Sequence, residues 1–398
     1  MSCRCWVAST LVVGFVVEVA RAAPPIVGRA VQEVRATPSL APESRAALLA
    51  DLEALRKRSG VPGVSVALLQ GGEITLAEGL GVRRAGGDVA VDRDTLFQAG
   101  SISKPVAAVG ALRLVAAGVL DLDSDVNDRL ASFAIPDSAL RHGKAITLRG
   151  LLSHTAGLSV HGFLGYLGDD AVPSLLDILE GAPPANSPPI VVELEPGTKW
   201  QYSGGGYTVM QQLVIDVTER DFAEFLRDEV LAPAGMTRSS YEQPLPIERR
   251  ANVAAGHGFP PKPVRGDAPT MPELAAAGLW TTASDLLRFG RELQRSLRGG
   301  EGTLLPKALM EEALRPVLDG DYGLGFQLFR DSGLPLFGHS GANQGFRAML
   351  VLRSDGEEGL ALMANGDGGD ALLGPARARL VEALGWQPAA EGARKSGG

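Results

Sequence analysis

Gly100-Ser101-Ile102-Ser103-Lys104-Pro105 stands at the head of an apolar run, Val106 to Leu120, that carries one charge, Arg113. A run of that length, apolar on every side, reads as a helix buried nearly all round. Pro105 suits its first turn, because a first-turn proline gives up an N–H that has no helical partner anyway. Ser101 and Lys104 are then i and i+3 on one helical face. A serine hydroxyl is a poor nucleophile without a partner to take its proton. A lysine at its ordinary pKa, about 10.4, is a cation at neutral pH and no base. Burial at the mouth of an apolar helix favours the neutral amine. Gly100 lets the backbone approach closely just before the serine. The competing reading is an N-cap serine followed by a solvated lysine.

The rest of the chain is consistent with a large globular enzyme. Its 398 residues are 45% hydrophobic and 21% charged, enough for one big core. A net charge of −8 and 5% aromatic residues give no electrostatic or stacking case for nucleic acid. The N-terminus reads as a secretory signal over residues 1–22: basic Arg4, an apolar core from Val7 to Val17, and Ala20-Arg21-Ala22 for cleavage after Ala22. That apolar core is too short to span a bilayer comfortably, so the mature chain is expected to be secreted or periplasmic with no membrane span. Both cysteines, Cys3 and Cys5, leave with the signal.

Residues 23–42 are rich in proline and alanine and read as a linker. Glu43 to Ser59 has a leucine stripe of helical period. Val64–Leu69 and Ile74–Leu80 flank Gly71-Gly72 and predict a β-hairpin. Phe346–Leu352 and Leu360–Met363 predict two late strands, and Ala371–Leu384 a closing helix. Residues 387–398 read as a disordered tail. With β-type segments at both ends and helices between, the predicted fold is α+β: an antiparallel sheet flanked by helices, in one domain over 43–386, with a mostly helical lobe inserted at roughly 121–270.

Two further segments carry chemistry. Tyr202-Ser203-Gly204-Gly205-Gly206-Tyr207 pairs a phenol with an irregular, closely approachable backbone before a helix predicted over Thr208–Thr218. Beside a cationic lysine the phenolate of Tyr202 would be favoured, and such a group can exchange protons with a serine or a leaving group. Gly338-His339-Ser340-Gly341-Ala342 is one glycine short of a nucleophile elbow, but an elbow serine is followed in the chain by its histidine. All five histidines lie at or before position 339. The segment reads better as a strand edge lining a cleft, with His339 placed to contact a substrate carboxylate or tune the site. His154 lies between leucines and reads as structural. The histidines lack metal-ligand spacing, and Asp121-x-Asp123-x-Asp125 lacks the later residues of a calcium loop. No metal and no cofactor is expected.

Taken in order, Ser101/Lys104, Tyr202-Ser203-Gly204 and His339-Ser340-Gly341 resemble the three motifs of the β-lactamase-related serine hydrolases, a group that includes class C β-lactamases, D-alanyl-D-alanine carboxypeptidases, D-aminopeptidases and carboxylesterases. Leu151 to Leu158, Gly278 to Leu286 and Tyr322 to Phe326 resemble further landmarks of that family. The resemblance implies acyl transfer: Ser101 attacks a carbonyl, Lys104 and Tyr202 manage protons, and the backbone N–H groups of Ser101 and Ala342 form the oxyanion hole. It also implies that Gly204, His339, Ser340 and Gly341 line the substrate site. Gly204 stands where the family has asparagine, and His339 where class C β-lactamases have lysine. The chain is therefore expected to be a secreted serine hydrolase of small esters, amides or D-amino-acid peptides. The alternatives are a β-lactamase or cell-wall carboxypeptidase, and a catalytically silent binding protein on the same fold.

Overall fold

A computed structural model describes residues 40–318, 320–329 and 333–386. The predicted signal peptide, nearly all of the linker and the C-terminal tail lie outside the described residues. Six antiparallel strands form one sheet. They are β1 (Gly63–Gln70), β2 (Glu73–Gly81), β3 (Gln327–Phe329), β4 (Leu336–Asn343), β5 (Phe346–Arg353) and β6 (Gly359–Ala364), in the spatial order β2-β1-β6-β5-β4-β3. The two ends of the sequence meet where β1 pairs β6, from Val64↔Ala364 to Leu69↔Gly359.

Both faces of this sheet are covered, which explains the nearly continuous apolar runs. An antiparallel strand with one wet face alternates apolar and polar residues; here successive residues enter two different cores. Val64, Val66 and Leu68 join Leu360 and Leu362 under α1 (Pro42–Arg58) and the closing helix Gly369–Ala383. Ala67 and Leu69 face the other way, with Ala361, Met363 and Leu350. That second core continues into the helical region, including Leu213 and Phe225, so the sheet and the region 121–270 share one interior.

The buried helix α2 runs Ser103–Ala116, and every residue from Ser103 to Leu112 is buried. It begins earlier than the apolar run suggested and ends before Leu120. Gly100–Ile102 forms a 3₁₀ turn ahead of it, so Ser101 sits on that turn, not in the α-helix. A 3₁₀ turn has three residues per turn, which keeps i and i+3 in line. Ser103 fixes the junction: its hydroxyl donates to Gly100 O (2.6 Å) and accepts from Leu279 N (3.0 Å), and the Tyr241 hydroxyl donates to Ser103 O (2.7 Å). The other helices that frame the site are α3 (Leu148–Ser153), α4 (Gly204–Thr218), the short α5 (Leu274–Ala277) and α6 (Ala283–Leu297). Helix α4 starts at Gly204, four residues before the predicted Thr208, because the Ser203 hydroxyl caps it by accepting from Gly206 N (2.9 Å).

Candidate active site

Two glycines let strand β4 lie directly against the turn that carries Ser101. Gly100 has φ +53°, and a Cβ there would stand 2.5 Å from Ala342 N. A Cβ at Gly341 would stand 1.9 Å from Ala99 O and 3.1 Å from Ser101 N. The strand register then orients Ala342. Asn343 and Phe346 flank a two-residue hairpin loop and pair with each other, so they exchange ladder hydrogen bonds. Ala342, one residue earlier, directs its N–H to the opposite edge. On that edge Ser340 N donates to Gln327 Oε1 (2.9 Å), and the pairing with β3 reaches only to Gly338. Ala342 N–H therefore faces the Ser101 turn, where the first N–H groups of the helix lack intrahelical partners.

Lys104 lies within reach of the hydroxyl. Its Nζ is 3.2 Å from Ser101 Oγ and donates to Ala276 O at 2.8 Å. The side chain is 2% exposed, with Nζ 4.8 Å from the Tyr202 ring centroid and 5.5 Å from that of Tyr207. Burial pulls its pKa down to about 7, which favours the neutral amine. Tyr202 hydrogen-bonds Ser101, yet burial holds its phenol above the ordinary value. The phenolate expected beside a cationic lysine is thus corrected: the lysine gives up its charge more readily, and the tyrosine keeps its proton.

His339 also departs from its expected place. It is 1% exposed and both ring nitrogens are engaged. Nδ1 contacts Ser340 O, and a carbonyl can only accept, so Nδ1 carries the proton. Nε2 then accepts from the Tyr322 hydroxyl at 2.9 Å. Burial, reinforced by the nearby Lys104, lowers its pKa to about 3. A neutral ring with no free nitrogen cannot hold a substrate carboxylate; it supports β4 from beneath. Ser340 is half-buried and donates to Gln327 Oε1 at 3.2 Å.

Beneath Tyr202 lies a cluster that sequence reading did not assemble. His154 takes a left-handed conformation (φ 62°) at the end of α3, and its Nδ1 accepts from Ser203 N (3.1 Å). Its ring lies 4.2 Å from Tyr202, 5.3 Å from Tyr207 and 4.7 Å from Tyr322, centroid to centroid, with Trp200 at 6.1 Å. Two rings of this cluster, Tyr202 and Tyr207, lie against the buried Lys104 amine. Gly204 opens α4 two residues after Tyr202, and a Cβ there would stand 2.9 Å from Cε2 of Phe163. Phe163 and Ala276 carried no recognisable signal of their own in the sequence, and Tyr322 stood out only as the first residue of the Tyr322–Phe326 landmark, with no role attached.

One buried charge next to this site serves no visible partner. Glu273 precedes α5, three residues before Ala276, and is 0% exposed. Neither carboxylate oxygen has a hydrogen-bond partner. Burial raises its pKa to about 7. An acid raised above its unfolded value costs stability as pH climbs: the penalty is absent below about pH 4.5, grows to pH 7 and is complete above it. Glu273→Gln is expected to raise the unfolding free energy by on the order of 3 kcal/mol at pH 8 and to change it little at pH 5. Thermal melts at the two pH values check this; an equal shift at both would refute it.

The described residues hold what acyl transfer requires: a hydroxyl, a neutral amine within hydrogen-bond reach, a phenol, and two backbone donors on opposed glycine-flanked segments. Comparison with known proteins agrees with this chemistry. The Beta-lactamase family model matches residues 48–384. "Penicillin-binding protein 4" of Amycolatopsis lactamdurans is 32% identical over 337 residues, 79% of this chain and 83% of that protein. "Esterase EstB" of Burkholderia gladioli is 31% identical over 294 residues, 66% of this chain and 72% of that protein. The fold resembles the crystal structure of D-amino acid amidase from Ochrobactrum anthropi SV3 complexed with D-phenylalanine (TM-score 0.71, 23% identity, 86% of this chain and 99% of that one). With the family model spanning most of its length over this geometry, the chain belongs to the Beta-lactamase family and is one of its serine hydrolases.

Proposed function

We propose that the protein is a secreted hydrolase of small esters that works through an acyl-enzyme on Ser101. The observation that carries this reading is the Lys104 amine, 3.2 Å from Ser101 Oγ and with a pKa drawn down to about 7. As the Ser101 oxygen bonds to the substrate carbonyl carbon, its proton passes to Lys104 Nζ. The carbonyl oxygen becomes an anion and takes hydrogen bonds from the N–H groups of Ser101 and Ala342, donors aimed at charge that exists only in the transition state. When the bond to the leaving oxygen breaks, the Tyr202 phenol donates its proton to that oxygen and recovers one from Lys104. Water then attacks the acyl-enzyme, gives a proton to Lys104, and frees the acid and the Ser101 hydroxyl.

Ester hydrolysis is favoured over β-lactam or D-alanyl-peptide cleavage because Gly204 offers no side-chain amide to the cleft, and because an ester oxygen leaves more readily than an amide nitrogen. The likeness to an esterase supports the same choice. Secretion rests on the N-terminal pattern of Arg4, Val7–Val17 and Ala20-Arg21-Ala22. One experiment tests the proposal. Protein recovered from the periplasm or medium is treated with a fluorophosphonate probe, and the intact mass and adduct site are read by mass spectrometry. The expected result is a chain beginning at Ala23 labelled at Ser101, with no label in Ser101→Ala. Labelling at Ser340, or none, overturns it.

A further inference from the structure

We infer that Phe163 sets substrate class by walling the cleft with an apolar surface that receives the acyl chain. This deepens the esterase reading and rests on it. The ring lies on Gly204: a Cβ there would meet Phe163 Cε2 at 2.9 Å, closer than real Cβ atoms stand to a neighbour, and Cδ2 at a tight 3.3 Å. The space that a side chain at 204 would take, two residues from the Tyr202 that hydrogen-bonds Ser101, is filled by an aromatic ring from another loop.

The backbone leading to that ring is held in place. The loop bearing it is fastened to the segment around Gly204 at three points: the Ser203 hydroxyl donates to Ser159 O (2.9 Å), Gly205 N donates to Val160 O (2.9 Å), and His161 Nδ1 bonds Tyr202 O (2.6 Å). Phe163 is half-buried and packs against the main core, so part of its surface remains open. Trp200, whose ring is 6.4 Å from that of Tyr202, is 40% exposed. Large apolar side chains left open around a cleft mark a place where apolar ligand surface is buried.

The acyl part is the matching occupant. The leaving alcohol must depart and be replaced by water, so its side of the cleft has to open to solvent. The acyl group stays attached to Ser101 through both halves of the reaction, and a pinned wall acts on it throughout. The preferred substrates are therefore esters of medium-length or branched apolar acids, with acetate esters poorer.

The test measures kcat/KM for p-nitrophenyl acetate, butyrate and octanoate in wild type, Phe163→Ala, Gly204→Asn and the double variant. Ser101 labelling rates with short- and long-alkyl fluorophosphonates are read in parallel. Wild type is expected to favour butyrate and octanoate over acetate by at least about tenfold, and Phe163→Ala to flatten that ratio by about tenfold. Gly204→Asn alone is expected to slow every ester, because its Cβ collides with the ring. The same change in the Phe163→Ala background should cost several-fold less, a coupling that independent sites do not show. A wild type indifferent to chain length, a ratio unmoved by Phe163→Ala, or equal Gly204→Asn effects in both backgrounds overturns the inference. Ser101 labelling separates the two readings: a labelled enzyme without chain preference refutes only the role of Phe163, and an unlabelled one refutes the acyl-enzyme.

Discussion

Lys104→Met is expected to lower kcat/KM for ester substrates by about 1,000-fold, the scale of losing a positioned general base, and to make the folded chain more stable. Both effects come from the same burial. In the wild type Lys104 acts only as the neutral amine, and its pKa is drawn from 10.5 to about 7. kcat/KM therefore rises with pH up to about 7 and levels off above it, and the variant lacks that limb. For stability the sign runs the other way round from an ion pair. Below pH 7 the lysine is charged in both states, and the folded state bears the full cost of a buried ammonium. Between about 7 and 10.5 the unfolded chain holds the proton that the folded chain has shed, so wild-type stability climbs; above 10.5 the penalty is gone. A fall from 10.5 to about 7 corresponds to on the order of 5 kcal/mol. Methionine has nearly the same length and no charge, and it packs well on the rings of Tyr202 and Tyr207. Chemical denaturation at pH 6 and pH 10 checks this. The variant's gain should be largest at pH 6 and nearly absent at pH 10; a variant less stable than wild type at pH 6 shows that the lysine stabilises the fold.

That prediction starts from a motif legible in the chain, and its size does not. Ser101 and Lys104 could be paired from spacing and from the single charge of the helix behind them. The desolvation that makes the lysine a base comes from burial against the rings of Tyr202 and Tyr207, about 100 residues further on, and its amine is anchored on the carbonyl of Ala276, 172 residues away. Contacts of that separation leave no periodic trace. Strands β1, β2, β5 and β6 were readable as short apolar runs bounded by turn residues such as Gly71-Gly72, and the first helix from its leucine stripe. The carboxylate contact offered for His339 failed for a related reason, while the alternative that it tunes the site is untouched. Its residue type suggested a ligand for a carboxylate, and nothing in Gly338–Ala342 reveals that Tyr322, on a loop 17 residues earlier, occupies Nε2. Phe163 and Gly204 form the same kind of pair: the glycine was visible as a departure, but the ring that fills its place lies 41 positions earlier on a loop without a pattern.

Gly341→Ala is expected to cost 100- to 1,000-fold in kcat, the scale of losing one oxyanion donor, with a smaller change in KM. The added methyl carbon would stand 1.9 Å from Ala99 O, a backbone atom that cannot rotate aside, and 3.1 Å from Ser101 N. Strand β4 and the 3₁₀ turn must therefore separate, and Ala342 N–H moves away from Ser101 N–H. The separation affects the transition state more than the bound ester, because the pair of donors is complementary to the oxyanion and less so to the carbonyl. Loss of folded protein could mimic this result, so a second crowded glycine serves as control. A Cβ at Gly290, on α6 against the sheet, would stand 2.4 Å from Leu352 Cδ2 and touch nothing at the Ser101 turn. Gly290→Ala should lower the melting temperature while keeping kcat per folded molecule near wild type. Gly341→Ala should lower kcat per folded molecule, and also slow fluorophosphonate labelling, whose transition state carries the same developing negative oxygen. Equal kcat losses in the two variants, or a Gly341→Ala enzyme with undiminished kcat, would mean that the two backbone donors facing each other across these glycines do not hold the oxyanion.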